Sequence, residues 1–376
     1  MPLRKSAWLE AGWIFASSRL VIFIATAIAT LRILPMQDTF WLAWQHWDVY
    51  SYIGIALNGY GSFRDTAFFP LWPLLIRALG FVFGSTVNGD YLAGMLLANL
   101  FFYLALVLLY QLLSEDFEPS VARNTAFYLA FSAYAIFFFV GYTESLFLFL
   151  CVAAFWCLQR SHYWLAGLCG GLLGLTHSQG VLVLLPFLVL VLQRFWPDKG
   201  ERRNWWPLLR ACFPLILIPA GVLLYMLYLW FAMGNPLAFS VGEAESWGRH
   251  LTFPLWSLVL AAQTFFLPQT GTQHELNAID IIFCLLPLVV LVAGWKKMPL
   301  HYALFALAVV LFNMCYPQGT QEPLTAAPRY MLVVFPVFVI LGKWGKNPTV
   351  DRLITVCSVC LFALNTLLYV RHYWVA

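Results

Sequence analysis

The sequence predicts an all-α polytopic membrane protein, and three observations carry that prediction. Of 376 residues, 62% are hydrophobic and 10% charged, and the mean hydropathy is +0.79. Apolar runs recur along the whole chain at the roughly 17 to 25 residues that a spanning helix needs. Two or three soluble domains, which the length alone allows, are excluded by this composition. A net charge of +4 spread over the chain makes no basic stripe, so nucleic acid is not a partner. The 8 Cys lie in or beside apolar runs. That excludes a secreted disulfide scaffold, and the Cys357 to Cys360 spacing reads as packing within the bilayer rather than redox chemistry. The 33 Phe, 17 Tyr and 17 Trp exceed what spanning requires. They point to long membrane-water interfaces or to a groove that grips an apolar or sugar ligand.

In chain order the expected spans are 12–34, 91–113, 123–140, 145–160, 163–176, 180–194, 211–233, 278–295, 299–316, 329–343 and 353–372, eleven in all. The first follows Arg4 and Lys5 and has no small-residue cleavage site, so it reads as an uncleaved anchor. The stretch 67–84 is apolar but short, and it carries Pro70, Pro73 and Arg77. It is expected to lie along the outer interface without crossing, and charge decides this. With a cytoplasmic N-terminus, Arg4, Lys5, Arg123, Arg160, Arg194, Lys199, Arg202, Arg203, Arg210, Lys296, Lys297, Lys343, Lys346 and Arg352 then fall inside, every lysine among them, as the positive-inside rule requires. Arg19, Arg32, Arg64, Arg77, Arg249, Arg329 and Arg371 remain for the outer side or the spans. The polar inner loop 194–210 divides one integral-membrane domain, 1–376, into two halves. The half 1–194 holds an outer loop 35–90 and is the expected catalytic part. The half 211–376 has outer loops near 234–277 and 317–328. No internal repeat or disordered linker interrupts them.

A charge at membrane depth costs roughly 2.5 to 3.5 kcal/mol on insertion scales, so ionisable groups near span ends are the functional candidates. The inner acids Glu10, Glu115, Asp116, Glu118, Asp198, Glu201 and Asp351 sit beside basic residues and read as solvated. In this topology Asp48, Glu144 and His177 all arrive at the outer ends of spans, the geometry of a site shared between helices. A short interfacial helix after Trp47 puts Asp48, Tyr52 and Ala56 on one face, with Asn58-Gly59 ending it. Asp48 there is either a helix-capping residue or a catalytic carboxylate in the company of His46 and Trp47. Glu144 either complements a helix dipole, with Thr143 as cap, or serves the site, orienting it or binding a sugar hydroxyl. His177 lies in the polar break Thr176-His177-Ser178-Gln179-Gly180, expected as a tight outer turn lining a cavity. Both a structural and a ligand-binding role stay open for it. Arg329, after Pro328 at a span start, is expected to meet an anion, either Glu322 or a lipid phosphate. Arg64 is a second candidate, though an ion pair with Asp65 is the simpler reading. No P-loop, serine-hydrolase, HExxH or Cys/His metal signature appears. Asp48 and Glu144, even with Asp65 as a third carboxylate, make a poor hard-metal cage, so no cofactor is expected.

Trp47-Asp48, Tyr52, Ile55-Ala56, Gly59-Tyr60 and Phe68-Phe69-Pro70-Leu71 with Pro73, together with Gly141-Tyr142-Thr143-Glu144-Ser145-Leu146-Phe147, resemble the PIG-V-like mannosyltransferases, integral-membrane glycosyltransferases of the GT-C class associated with GPI-anchor assembly. The resemblance is specific over about residues 40–180. Beyond that it is general, with Pro328-Arg329-Tyr330 resembling a family element. It implies a GT-C fold with juxtamembrane helices in the first outer loop and a periplasmic or lumenal active site. It also implies a polyprenyl- or dolichyl-phosphate-linked sugar donor, usually mannose, and inverting transfer to the hydroxyl of a glycolipid or glycan acceptor. Asp48 matches the family's loop acid, read as general base. Glu144, His177, Arg329, Arg64, His46, Trp47, Tyr52, Tyr60 and Tyr142 are then the expected substrate-binding residues. Family members commonly place Arg where this chain has His177, so donor phosphate would fall to Arg329, Arg64 or a protonated His177. The absence of an N-x-[ST] sequon with x other than Pro leans towards a bacterial homologue. The rival reading is a transporter or flippase of a lipid-linked substrate, which calls for inverted repeats and paired broken helices.

Overall fold

A computed structural model describes residues 3–30, 40–195, 205–267, 273–319 and 322–375. Among them every regular element is helical, apart from one isolated antiparallel bridge between Arg249 and Gln318. The helices are α1 Lys5–Thr30, α2 Asp48–Asn58, α3 Phe63–Thr66, α4 Leu71–Gly80, α5 Val87–Asp116, α6 Pro119–Ala130, α7 Glu144–Gln159, α8 Tyr163–Thr176, α9 Leu184–Phe195, α10 Trp206–Cys212, α11 Leu217–Met233, α12 Ala238–Trp247, α13 Pro254–Phe266, α14 Gln273–Gly294, α15 Leu300–Met314, α16 Ala327–Tyr330, α17 Phe335–Trp344 and α18 Pro348–Val370. The calculated sidedness of Arg32, Asp198, Lys199, Glu201, Arg202 and Arg203 falls on residues outside those described.

Helix occupies each of the eleven expected segments, but not uniformly. Six stretches are long and apolar enough to cross: Lys5–Thr30, Val87–Asp116, Ser178–Phe195, Trp206–Met233, Asn277–Lys297 and Pro348–Val370. A seventh forms if α16 and α17, bent by 76° at the break between them, make one span. Three more, α7, α8 and α15, are shorter apolar helices.

The expected span 123–140 is not one helix. α6 stops at Ala130, and a 3₁₀ turn takes Ala135–Phe138. Such a break leaves carbonyls to be satisfied, which at membrane depth only protein can do. Arg19 Nη2 and Ser145 Oγ both donate to the Phe138 carbonyl at 3.1 Å, and Asn99 Nδ2 donates to that of Phe139 at 3.1 Å. The guanidinium of Arg19 lies over the rings of Phe15 and Phe102 at 4.6 and 4.8 Å, which explains an arginine buried in α1. With the bend at α16 and α17 and the break at His177, interrupted helices are thus more numerous than the single one the sequence suggests.

The ten-residue α4 reaches only about 15 Å along its axis, half the roughly 30 Å of bilayer hydrocarbon. Its prolines sit at the first turn, where they cost nothing. The indole of Trp72, fully buried, donates to the Gly141 carbonyl at 2.9 Å and ties α4 to the start of α7.

Two close approaches depend on glycine. A Cβ on Gly221 would lie 2.0 Å from the Gly171 carbonyl oxygen, so α8 and α11 cross backbone to backbone. A Cβ on Gly242 would lie 2.1 Å from the Phe63 carbonyl oxygen, which lets α12 dock on α3. α12 and the apolar α13 both arise in the 234–277 loop, where the sequence signals no helix. The centre of the bundle is α5 packed on α1, α4, α6 and α7, with Phe102, Phe137, Phe138, Phe155 and Tyr142 fully buried. All eight cysteines are free thiols, and Cys357 and Cys360 face outward from α18.

Candidate functional site

α2 begins at Asp48 because the chain turns sharply before it. Trp47 adopts φ 50°, a left-handed conformation that costs a non-glycine residue about 1–3 kcal/mol and persists only when its surroundings enforce it. Here they do: the Trp47 ring packs against Tyr369 and Trp374, with centroids 4.8 and 5.2 Å away. The Asp48 amide donates to Tyr142 Oη at 3.3 Å. Tyr52, Ile53 and Ala56 point into the core, and α2 ends at Asn58, with Gly59 at φ 77°. The helix face and its stop are therefore those read from the sequence.

Glu144 opens α7 and is 6% exposed. Thr143 occupies the cap position but makes no side-chain cap bond, so the expected capping does not occur. What holds Glu144 is Arg329, from a helix 185 residues further along the chain. The buried Arg329 places Nη1 2.5 Å from Asp48 Oδ2 and Nε 3.3 Å from Glu144 Oε1. Its protein partners are Asp48 and Glu144 rather than Glu322: one guanidinium clamps the two acids that the sequence singled out. Nη2 donates to Tyr330 Oη at 3.2 Å. That oxygen also accepts from Arg249 Nη1 at 2.9 Å. Arg249 Nη2 donates to Gln318 Oε1 at 3.1 Å, and Glu243 lies 3.6 Å from Nη1. Burial raises the Glu243 carboxyl above its ordinary range, against the pull of Arg249.

These groups line a cavity of about 320 Å³. Trp47, Asp48, Tyr52, Arg64, Glu144, His177 and Arg329 line it. His46 lines an adjoining cavity instead, sharing Trp47, Ser51 and Arg64 with the first, and packs at a tilt against His372 with ring centroids 3.8 Å apart. Tyr60 and Tyr142 are outside both cavities. Tyr60 donates to the Phe68 carbonyl at 2.8 Å, and Tyr142 is buried behind Asp48, so each supports the wall rather than touching its contents. Arg64 makes no ion pair with Asp65. Asp65 is spent on the capping box of α3, accepting from Ser62, while Arg64 lies 5.8 Å over the Trp247 ring. Asp65 therefore offers no third carboxylate, and among the described residues no group of three His, Cys, Asp or Glu is arranged to hold a metal.

His177 sits in the predicted break, its ring stacked on Phe69 and its Nδ1 accepting from the Gln179 amide at 3.3 Å. Burial, then Arg329 and Arg249, push its pKa down to about 3. A neutral imidazole in this position is a hydrogen-bonding group. Glu243, Trp247 and Arg249 were missed by sequence reasoning. They come from α12 and the turn after it.

The chain matches the GPI mannosyltransferase 2 of Schizosaccharomyces pombe at 31% identity over 153 residues, 38% of this chain and 32% of that protein. It matches the GPI alpha-1,6-mannosyltransferase 2 of Mus musculus at 28% over 200 residues, 49% of this chain and 40% of that protein. The matched stretch thus spans about a third to two-fifths of the length of these curated relatives. Among solved structures, the archaeal oligosaccharyltransferase AglB from Archaeoglobus fulgidus, in complex with an inhibitory peptide and a dolichol-phosphate, aligns over 95% of this chain and 55% of its own, at 13% identity and a TM-score of 0.44. The profile of the family Mannosyltransferase (PIG-V) matches residues 28–259, which includes α2, Glu144, His177 and Arg249. This is more than half of the sequence, and the chain belongs to the PIG-V mannosyltransferase family.

Proposed function

We propose that this integral-membrane protein transfers a sugar, mannose by family, from a polyprenyl-phosphate-linked donor to a glycolipid or glycan hydroxyl in the cavity around Asp48, on the extracytoplasmic side of the membrane. The observation that carries this reading is the pair of carboxylates clamped on Arg329 at the wall of a cavity lined by aromatic side chains. Asp48 is the one placed to work on a substrate: its side chain is 21% exposed against 7% for Glu144. The ion pair uses Oδ2 and leaves Oδ1 for a hydroxyl in the cavity.

The chemistry needs one base and charge neutralisation. The acceptor oxygen attacks the sugar C1 from the side opposite the phosphate. As the new glycosidic bond forms, the C1–O bond to phosphate breaks, the electron pair leaves on the lipid phosphate, and the hydroxyl proton passes to Asp48. Configuration at C1 inverts. Arg329 fixes the Asp48 carboxylate through Oδ2 and so orients its other oxygen toward the cavity. Trp47, Trp247 and Trp374 provide faces against which a sugar ring can lie. Phosphate is a fair leaving group, so no covalent nucleophile is required, and positioning supplies much of the acceleration.

Membranes containing the protein should move radiolabelled mannose from a polyprenyl-phosphate mannose to lipid-extractable acceptor. Asp48→Asn should lower that rate by about 10²- to 10⁴-fold, the usual contribution of a general base, at unchanged expression. A mutant within a few-fold of wild type would remove Asp48 from the mechanism.

A further inference from the structure

The two arginines that meet at Tyr330 differ in what already neutralises them. Arg329 faces two carboxylates, with Nη1 at 2.5 Å from Asp48 and Nε at 3.3 Å from Glu144. Arg249 faces one, Glu243, at 3.6 Å and without hydrogen-bond geometry, its other contacts being neutral oxygens of Tyr330, Gln318 and Thr325. The buried Nε of each guanidinium lacks a hydrogen-bond partner, so the difference between them lies in the number of carboxylates each faces, two for Arg329 and one for Arg249. An arriving anion therefore finds more unspent positive charge on Arg249 than on Arg329. The Tyr330 oxygen accepts from both guanidiniums, so its own proton is left to donate elsewhere. Two forked cations and a hydroxyl converging on one point are what a phosphate group selects.

Arg249 and Tyr330 also stand at a boundary. They line the cavity of Asp48 and, on the other side, a narrow aromatic slot between α12 and α15, walled by Phe69, Phe239, Phe312, Tyr316 and Leu324. Ser240, at one end of that slot, is exposed. A molecule with a sugar at one end, a phosphate in the middle and a flexible apolar chain behind it matches this order of cavity, cation and slot.

We propose that Arg249 with the Tyr330 hydroxyl is the phosphate seat of the donor, and that its prenyl chain leaves through the slot between α12 and α15. This rests on the transfer reading for its orientation but not for its test. The phosphate then sits beside Arg329, and the charge released on it as C1 departs is met by Arg249. Neutralising Asp48 or Glu144 frees Arg329 and tightens phosphate binding, whereas removing Arg249 weakens it.

The test is binding of farnesyl phosphate, with farnesol and inorganic phosphate as controls, to detergent-purified full-length protein, read by thermal shift and by titration. Losing charge-assisted hydrogen bonds to one phosphate predicts about 10- to 100-fold weaker binding for Arg249→Gln, with partial recovery in Arg249→Lys. Asp48→Asn and Glu144→Gln should bind at least as tightly as wild type. Farnesol should bind more weakly than farnesyl phosphate, and inorganic phosphate more weakly still. The assignment is overturned if Arg249→Gln binds farnesyl phosphate like wild type, if Asp48→Asn loses binding as severely as Arg249→Gln, or if farnesol binds as well as its phosphate. Should Arg249→Gln fail to fold, Phe239→Trp and Phe312→Trp, which fill the slot, must weaken farnesyl phosphate more than inorganic phosphate, and equal effects overturn the slot. A wild type that binds in this pattern yet transfers no mannose would defeat the transfer reading and leave the phosphate seat standing.

Discussion

α7 carries acidic and basic partners at both ends, and the two ends are built differently. At its start Glu144 shares Arg329 with Asp48, so two carboxylates compete for one buried guanidinium. At its far end Arg160 pairs one to one with Glu115, and nearby Lys346 meets Glu118 at 2.8 Å on the surface. One-to-one pairs in reach of water organise a surface and need no further explanation. A cluster that sets two carboxylates against one buried guanidinium at a cavity wall holds more acid than its cation can pair with one to one. That excess is what a proton-accepting site requires.

The sharpest way to break this contrast is Arg329→Gln. It leaves Asp48 and Glu144 facing each other with no cation, and breaking a buried pair by removing one partner typically costs about 3–5 kcal/mol. Thermal unfolding in detergent should show a large drop, with transfer lost as well. Arg329→Lys should recover part of the stability but not the two-pronged geometry. If Arg329→Gln unfolds at the wild-type temperature, the cluster is not held together as described, and the two ends of α7 are alike.

The half of this contrast supplied by Asp48 and Glu144 was legible in the sequence, because a carboxylate beside apolar runs is conspicuous by its cost. Arg329 was visible for the same reason, yet its partners were not. The pairing with Asp48 joins residues 281 apart, and nothing local to Pro328-Arg329-Tyr330 says which anion it meets. Hydrophobic runs located the helices but misjudged continuity at 131–140, where no proline or glycine adjoins the break at Phe131 and the freed carbonyls are met by Arg19, Asn99 and Ser145 from three other helices. α12 stayed hidden because it is a polar helix in a long loop, and with it Glu243, Trp247 and Arg249. Its one signal is Gly242, whose missing side chain makes sense only beside the Phe63 backbone.

A smaller effect separates the cavity wall from its charges. His177 has a folded pKa of about 3 against an ordinary value of 6.5. Between those values the unfolded chain binds more protons than the native one, so stability rises with pH and is lost as pH falls from about 6.5. His177→Gln removes this contribution. The melting temperature of the variant should fall less steeply than that of wild type between pH 7 and pH 4.5. Transfer at neutral pH should change by no more than a few-fold, since the native imidazole is already neutral there. An acid limb identical in the two proteins would mean that His177 is not held neutral. Loss of transfer comparable to that of Asp48→Asn would move His177 into the chemistry.

The smallest effect belongs to the opposite end of the bundle. Lys346 and Glu118 are 49% and 64% exposed. Water and salt screen their attraction, and two long side chains lose rotamer freedom to make it. Lys346→Ala should leave both the melting temperature and mannose transfer unchanged, at low and at high ionic strength alike. Arg329→Gln must differ from it in both readouts, because that charge is shielded from solvent and its loss cannot be made good by counterions. Should Lys346→Ala instead reduce transfer, the two ends would be coupled through α17, which carries Lys343 and packs on α6 while its bent partner α16 carries Arg329. The division between a structural end and a reactive end would then give way to one connected element.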